Sequence, residues 1–254
     1  MIRLFISRPT PPFADGLTFA LEADQARYAT TIMRLHINDA LLVFNGRDGE
    51  WRATLAEAGK KTVTVRLHEQ TRPQTPRRGP VLAVAMVKRA ALETIIEKAT
   101  ELGVASIDLV LTARSNVSNT NLERLNSIAK EAAEQTERTN VPAVNTIVKF
   151  DRWLASNACK FVIFGDEDST HEGADRQTLP LLDVLRHIDA HASDAIASTA
   201  ILIGPEGGFD DNERALLRSM PHVHPVNLGP RILRADTAAI SALTLVQAIL
   251  GDWR

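Results

Sequence analysis

Hydrophobic and polar residues follow two different patterns along the chain. Residues 1–72 carry short segments in which apolar and polar residues alternate, which is typical of strands buried on one face. Five such segments are predicted to be strands, at 3–6, 17–21, 40–44, 51–55 and 62–67. Turn signals at 45–46 (Asn-Gly) and 48–49 (Asp-Gly) separate two of them, and residues 23–33 are predicted to form an amphipathic helix. Short strands joined by tight turns favour a small β-barrel domain over residues 1–72.

From residue 80 onward, apolar runs of strand length alternate with helical periodicity. Residues 71–80 hold three prolines and a glycine, a composition that marks a domain boundary. Strands are predicted at 81–87, 106–111, 161–165, 201–203 and 226–228, and helices at 90–102, 122–135 and 236–249. This alternation predicts an α/β domain over residues 80–254, with a mostly parallel sheet and helices on both of its faces.

Two strand-to-helix junctions near the C-terminus share a glycine turn. In the first, an apolar strand ends at 204–208 (Gly-Pro-Glu-Gly-Gly), and Asp210 or Asp211 caps the helix that follows. In the second, a strand ends at 229–230 (Gly-Pro) before the helix at 236–249. Glycines allow a ligand to approach the backbone closely, so the two junctions together predict a ligand site; an ordinary strand-to-helix turn is the alternative.

Acidic residues at the first junction bear on the kind of ligand. Glu206 lies in the turn, and Asp210, Asp211 and Glu213 open the following helix. Carboxylates beside a phosphate would repel it, and the glycine spacing matches neither the dinucleotide fingerprint nor the Walker pattern. A neutral or cationic ligand is therefore predicted. A nucleotide-dependent enzyme that uses the turns for phosphate stays open as an alternative.

The two junctions together resemble those of the SPOUT methyltransferases. More narrowly, they resemble the bacterial small-subunit ribosomal RNA uridine-N3 methyltransferase family, which modifies uridine 1498 of 16S rRNA. The resemblance rests on 202–208 (Leu-Ile-Gly-Pro-Glu-Gly-Gly), 228–234 (Leu-Gly-Pro-Arg-Ile-Leu-Arg) and 236–238 (Asp-Thr-Ala), and extends to 87–89, 97–103, 114–115, 134–135, Arg138 and Pro142. It implies a trefoil-knotted SPOUT domain, a PUA-like RNA-binding β-barrel in residues 1–72, and a homodimer, since SPOUT sites form across a two-fold interface.

The same resemblance implies S-adenosylmethionine as the cofactor, whose cationic sulfonium an acidic rim tolerates. Its implied contacts are Leu202, Ile203, Gly204, Pro205, Glu206, Gly207, Leu228, Gly229, Ile232, Leu233, Arg234, Thr237 and Ala238. The chain departs from the family at Asp236, where glutamate is common, at Ala235, where threonine is common, and at 136–137, where Thr-Glu replaces Ser-Gly.

Methylation of uracil at N3 removes a weakly acidic imide proton, which calls for a general base or for a cation that stabilises the resulting anion. Glu206 and Asp236 are candidate bases, and Arg234, Arg114 and Arg138 are candidate cations. Structural ion pairing is the alternative role for the arginines.

Composition limits the class of protein. Of 254 residues, 44% are hydrophobic and 24% charged, as in soluble globular proteins, and no apolar run reaches membrane-spanning length. The N-terminus is too polar after Ile6 for a signal peptide, and the single Cys159 excludes an internal disulfide and a cysteine metal cluster. His187 and His191 have helical spacing but lack a third ligand, so no metal is predicted. A cytoplasmic protein is expected.

Charge is distributed unevenly between the two predicted domains. Residues 1–80 hold 12 lysines and arginines against 8 aspartates and glutamates, a net charge of +4, whereas the remainder has a net charge of −6. A basic small domain suits contacts with RNA phosphates, and the candidates are Arg34, Arg47, Arg52, Lys60 and Lys61. Surface solubilisation is the alternative. The predicted function is methylation of 16S rRNA in the small ribosomal subunit; another RNA target or a non-catalytic RNA-binding module stays open.

Overall fold

A computed structural model describes residues 1–7, 10–59, 62–166, 178–192 and 194–254. The chain divides into two compact units. The first unit comprises Met1–Arg77 and Ala133–Val141, and the second comprises Arg78–Ala132 and Pro142–Arg254. The first unit thus includes a segment, Ala133–Val141, that lies well beyond the boundary predicted at residue 72.

The first unit is built on a five-stranded sheet. Its strands are β1 (Arg3–Phe5), β2 (Thr18–Ala20), β3 (Ala40–Phe44), β4 (Glu50–Ala58) and β5 (Val63–Arg72). They pair in the order β1-β3-β4-β5-β2, and only the β1–β3 pair is parallel. Alternate residues of β3, β4 and β5 are buried, among them Leu41, Val43, Leu55 and Val65, so one face of the sheet covers the core of this unit.

The helix predicted at 23–33 is shorter and less regular than expected. Helix α1 (Ala23–Arg27) passes into a π-helical turn at Tyr28–Ile32. There the Thr30 hydroxyl donates to the Ala26 carbonyl at 2.8 Å, a local hydrogen bond that competes with regular helical pairing. The chain beyond it turns through Arg34 and Asn38, both of which have positive φ.

Buried Arg3 ties the segment Ala133–Val141 to the sheet of the first unit. Its Nε donates to the Glu50 carboxylate at 2.7 Å. Its other nitrogens donate to the carbonyls of Ala133, Glu134 and Arg138 at 3.1, 2.8 and 2.8 Å. Because a buried charge must be paired and hydrogen-bonded, this network explains why a distant segment belongs to the N-terminal unit.

The second unit is an α/β structure. Its strands are β6 (Val81–Ala85), β7 (Ser106–Leu111), β8 (Ala143–Val144), β9 (Val148–Lys149), β10 (Phe161–Gly165), β11 (Leu179–Pro180), β12 (Thr199–Ile203) and β13 (Val223–Asn227). Its helices are α2 (Arg89–Glu101), α3 (Leu122–Gln135, whose last three residues belong to the first unit), α4 (Phe150–Ser156), α5 (Leu181–His191), α6 (Asp211–Ser219) and α7 (Ala235–Leu250), with a 3₁₀ turn at Ile196–Ser198.

The strands of this unit form one sheet in the order β11-β13-β10-β12-β6-β7-β8, and β9 also pairs with β7. All pairs between the described strands are parallel. The prediction of an α/β domain with a mostly parallel sheet is therefore confirmed.

Helices cover both faces of this sheet. Alternate strand residues such as Ala83, Phe164 and Leu202 form a buried cluster with Trp153 of α4 and Leu217 of α6. The intervening residues point to the opposite face. On that face α7 packs against β12 and against helices α2 and α5. The strands read as continuous apolar runs because both faces are buried.

Among the described residues, no helix combines the length and the apolar character needed to cross a membrane.

Candidate functional site

The first glycine turn follows a strand in the middle of the sheet. Strand β12 is buried along its whole length and pairs with β10 on one side and β6 on the other. After Gly204 the chain reverses in a tight turn, in which the Gly208 N–H donates to the Pro205 carbonyl at 2.9 Å. Gly208 has a φ of 67°, a conformation that favours glycine. Phe209 is then buried against Phe164, and α6 begins.

The second glycine turn follows β13. The Gly229 N–H donates to the Asn227 side-chain oxygen at 3.4 Å, and Gly229 has a φ of 109°. A Cβ built at Gly229 would find no atom within 4 Å, so the residue borders open space. Arg234 then occupies the N-cap position of α7.

The two turns enclose one cavity. Strands β13, β10 and β12 are neighbours and parallel, so their carboxyl ends meet at one edge of the sheet, where ligands of open α/β folds bind. The cavity has a volume of about 600 Å³, within the range of small-molecule sites. We call it the turn cavity. Its lining comes from 165–166, 203–206, 208–209, 214, 226–235 and 238.

Most of the predicted cofactor contacts line the turn cavity. Those that do are Ile203, Gly204, Pro205, Glu206, Leu228, Gly229, Ile232, Leu233, Arg234 and Ala238. Leu202, Gly207 and Thr237 are not in the lining. Leu202 is fully buried within β12. A Cβ at Gly207 would lie 3.5 Å from the Cβ of Arg114, so this glycine faces a protein side chain.

The five catalytic candidates occupy different environments. Glu206 and Arg234 line the turn cavity, and both are exposed. Arg114 lies beside the first turn, where its Nη1 donates to the Gly207 carbonyl at 3.0 Å. Asp236 lies outside the lining, in the first turn of α7, and its carboxylate accepts from the Thr237 N–H at 2.8 Å.

Arg138 belongs to the first unit, whereas the other four candidates belong to the second. Its guanidinium donates to the Asn140 side chain at 2.7 Å, and its carbonyl accepts from Arg3.

The acidic lining expected from the sequence is wrong in its details. Asp210 and Glu213 form a capping box at the start of α6, and Asp211 points into solvent with 84% of its side chain exposed. None of the three lines the turn cavity. Asp210 and Glu213 are used in helix capping and Asp211 faces solvent, so fewer carboxylates line the cavity than the sequence suggested.

A buried charged cluster in the cavity wall was not predicted from the sequence. Asp166, directly after β10, is 2% exposed, and Arg214 on α6 is 6% exposed; both line the turn cavity. The Arg214 Nε donates to the Asp166 Oδ1 at 3.0 Å. Arg218, one helical turn later, donates to the Asp166 Oδ2 at 2.7 Å but lies outside the lining. The sequence gives no sign of this pairing, because its members are about fifty residues apart and follow no motif.

The predicted RNA contacts lie in the first unit. Arg34 is exposed. Arg47 donates to the Asp48 carboxylate at 2.7 Å, and Arg52 pairs with Glu69 at 3.4 Å on the surface. Lys60 and Lys61 lie outside the described residues.

The two histidines weighed as a metal pair are close neighbours on α5. The rings of His187 and His191 are 4.3 Å apart, and the His191 Nδ1 lies 2.7 Å from the His187 carbonyl. In the part of the chain that the structure describes, no group of three or more His, Cys, Asp and Glu side chains is arranged to hold a metal ion.

The chain is similar to known RNA methyltransferases. A family model described as an RNA methyltransferase domain matches residues 75–247, and one described as an RNA methyltransferase PUA domain matches residues 21–67. Ribosomal RNA small subunit methyltransferase E of Rickettsia conorii is 34% identical over 240 residues, which are 94% of this chain and 93% of that protein. The protein of the same name from Synechocystis is 34% identical over 236 residues, 92% and 74% of the two chains.

Solved structures have the same fold. A protein of Legionella pneumophila, in complex with the bound cofactor SAM, has a TM-score of 0.79 and 27% identity over 97% of both chains. Ribosomal RNA small subunit methyltransferase E of Neisseria gonorrhoeae has a TM-score of 0.79 and 23% identity over 100% of both chains, which supports the fold alone.

Proposed function

The chain belongs to the RNA methyltransferase family of ribosomal RNA small subunit methyltransferase E, and on this premise we propose that it methylates N3 of a uridine in 16S rRNA. By the family resemblance the target is uridine 1498. The methyl donor is S-adenosylmethionine, bound in the turn cavity.

The observation that carries the proposal is the turn cavity itself. Two glycine turns meet at the carboxyl edge of a parallel sheet and border a volume of about 600 Å³. The hydrogen-bonding groups of the cavity fit the cofactor, because backbone groups at 203–204 and 228–233 can hydrogen-bond the adenine without charged side chains. A Cβ at position 229 would project into open space, and glycine leaves that space free for a ligand. The relative from Legionella pneumophila, solved with SAM, has this fold.

The chemistry assigned to this site is methyl transfer to a deprotonated imide nitrogen. When bound, S-adenosylmethionine supplies an electrophilic methyl group. Glu206, at the rim of the turn cavity, accepts the N3 proton in our proposal, and Arg234 stabilises the negative charge that develops on the uracil oxygens. Arg114 holds the turn that carries Glu206 through the Gly207 carbonyl.

Asp236 and Arg138 are proposed to have indirect or structural roles. Asp236 lies outside the lining, so as a base it would act through water. Arg138 donates to Asn140 within the first unit, and a structural role suits it better than a catalytic one.

RNA binding is assigned to the first unit. The match of residues 21–67 to a PUA domain of RNA methyltransferases supports this assignment, as does the net charge of +4 over residues 1–80. Arg34, Arg47 and Arg52 are the described residues proposed to contact phosphates, and Lys60 and Lys61 complete the set. The substrate is 16S rRNA within the small ribosomal subunit, in the cytoplasm.

The proposal includes a trefoil knot in residues 80–254 and a homodimer, both implied by the resemblance to SPOUT enzymes. Apolar residues lie around most of the circumference of α7, and Ile240, Leu245 and Ile249 remain half-buried, which supports a partner surface on this helix. Light scattering is expected to give the mass of a dimer, and a monomeric mass would contradict this part of the proposal.

Nucleoside mass spectrometry of 16S rRNA tests the proposed activity. Cells that lack the gene are expected to lose 3-methyluridine from this RNA and to regain it with the wild-type gene. Unchanged 3-methyluridine in the deletion strain would overturn the assignment of the base and atom. Loss of a different methylated nucleoside would point to another RNA target within the same class of enzyme.

A further inference from the structure

A buried arginine stands in the wall of the turn cavity. Among the residues that the structure describes, five charged ones line this cavity: Asp166, Glu206, Arg214, Arg231 and Arg234. Glu206, Arg231 and Arg234 are exposed, whereas Asp166 and Arg214 are buried. Charge–charge interactions strengthen as water is excluded, so among these three arginines Arg214 has the surroundings that screen an interaction with a bound anion least.

The Arg214 guanidinium lies beside two described carboxylates. Its Nε donates to the Asp166 Oδ1 at 3.0 Å, and its Nη1 lies 3.8 Å from the exposed Asp211 carboxylate. Arg218 donates to the other oxygen of Asp166, through Nε at 3.1 Å and Nη2 at 2.7 Å. Two guanidinium groups therefore share one buried carboxylate, and of the two only Arg214 borders the turn cavity.

We propose that Arg214, oriented by Asp166, binds the carboxylate of the methionine part of S-adenosylmethionine. The inference rests on the proposed function and adds to it the residue that recognises the amino-acid part of the cofactor. Adenine and ribose are neutral, and the sulfonium and the ammonium are cationic. The carboxylate is the one anionic group of the cofactor, and a guanidinium matches its geometry.

Ligands with and without the carboxylate are expected to depend differently on Arg214. S-adenosylhomocysteine, the product, keeps the carboxylate, so it interacts with Arg214 as the substrate does. 5′-Methylthioadenosine lacks the whole amino-acid part, so its binding does not depend on Arg214. S-adenosyl-3-thiopropylamine lacks only the carboxylate of the product, and it isolates the interaction with that group.

Calorimetric titration of the full chain with these three ligands tests the proposal. In Arg214→Met, the affinity for S-adenosylhomocysteine is expected to fall roughly tenfold to hundredfold, whereas the affinity for 5′-methylthioadenosine stays within about twofold. Arg218→Met is the matched control, since it removes a described partner of Asp166 that lies outside the turn cavity. In this variant the affinities for S-adenosylhomocysteine and 5′-methylthioadenosine are expected to stay unchanged or to fall by the same factor. Asp166→Asn is expected to lose part of the same selectivity, because a neutral amide orients the guanidinium less firmly.

Equal losses for both ligands in Arg214→Met would show that the arginine only holds the fold, and an unchanged affinity for S-adenosylhomocysteine would show that it does not reach the carboxylate. Either result overturns the proposal.

Should the variant fail to fold, the wild-type protein decides. It is expected to bind S-adenosyl-3-thiopropylamine at least tenfold more weakly than S-adenosylhomocysteine, on the order of one charge-assisted hydrogen bond. Equal affinities overturn the role of Arg214 and leave the proposed function standing. No binding of S-adenosylhomocysteine to the wild-type protein overturns the proposed cofactor, and this inference with it.

Discussion

Asp210 and Glu213 hold the start of helix α6 by exchanging hydrogen bonds. The Asp210 carboxylate accepts from the Glu213 N–H at 2.7 Å, and the Glu213 carboxylate accepts from the Asp210 N–H at 3.1 Å. The other oxygen of Glu213 accepts from the Ala113 N–H at 2.7 Å. Glu213 therefore links α6 to the loop that follows β7, and both carboxylates serve the structure of the first turn.

The capping box predicts a loss of stability in Asp210→Ala. Removing the side chain leaves the Glu213 N–H without its acceptor, and the free energy of unfolding is expected to fall by about 1 kcal/mol. Urea denaturation followed by circular dichroism measures the change. Asn212→Ala, an exposed neighbour in the same turn, is the control and is expected to change the stability by less than about 0.5 kcal/mol. Equal losses in the two variants would argue against the cap.

Alanine substitutions in the two glycine turns are expected to differ in their effect on cofactor affinity. Gly229 has a φ of 109° and borders the turn cavity, so Gly229→Ala is expected to strain the backbone by about 1–3 kcal/mol and to weaken binding of S-adenosylmethionine. Gly207 has no positive φ, and its added Cβ would make ordinary contact with Arg114. Gly207→Ala is expected to keep the affinity within about twofold, a margin below 0.5 kcal/mol. Calorimetry on both variants checks the contrast, and a larger loss in Gly207→Ala would refute it.

Arg234 is expected to matter for turnover more than for folding. If its guanidinium stabilises the uracil anion, Arg234→Ala lowers kcat by about 100-fold to 1000-fold with little change in thermal stability. Methylation of small subunits from the deletion strain provides the assay. Arg231→Ala, another exposed arginine of the lining, is the control. Activity of Arg234→Ala within a few-fold of wild type would remove the residue from the mechanism.

Arg3 is expected to contribute strongly to the stability of the first unit. Burial raises the pKa of Glu50, and hydrogen bonds from Arg72 and Arg3 hold that pKa below its usual value. Arg3→Met leaves a buried carboxylate short of a partner, and the expected loss is about 3–5 kcal/mol. Arg52→Met breaks the exposed pair with Glu69 and is expected to cost less than about 1 kcal/mol. Similar losses in chemical denaturation would show that burial does not distinguish the two ion pairs.

Asp48 is expected to make the stability of the first unit depend on pH in the acidic range. A hydrogen bond from Arg47 lowers its pKa to about 2, and further hydrogen bonds from Asn45 and the Phe13 N–H act in the same direction. A carboxylate with a lowered pKa in the folded state stabilises fully above its unfolded value, near 4, and loses this contribution as the pH falls through about 2. Asp48→Asn is expected to flatten the stability curve between about pH 4 and pH 2. An unchanged slope in acid titrations of stability would contradict this role.

The sequence predicts elements well where apolar runs are continuous. The bounds predicted for β7, β10 and α3 match the structure. Strand β13 begins at Val223, three residues earlier than predicted. The prediction missed these residues because a proline, here Pro225, argues against an interior strand. Strand β11 pairs with β13 only at Val226 and Asn227, so the missing N–H of Pro225 falls outside that ladder. The strand is interior in the sheet and still tolerates a proline.

The candidate site was predictable where it is contiguous in sequence. The glycine turns and Arg234 could be found because their spacing along the chain is itself the signal. Asp166 and Arg214 could not, since their pairing depends on the packing of α6 against the end of β10. The acidic residues at 210–213 were misassigned to the ligand site because a carboxylate at a helix start can serve in capping as readily as in ligand binding.

One crystallographic measurement tests the central claim most directly. Crystals of the protein soaked with S-adenosylmethionine, and separately with ATP, are expected to show the methyl donor between the turns at 204–208 and 228–234, beside Gly229, and no ordered nucleotide there. Density for the triphosphate in the turn cavity, with S-adenosylmethionine absent from it, would contradict the account.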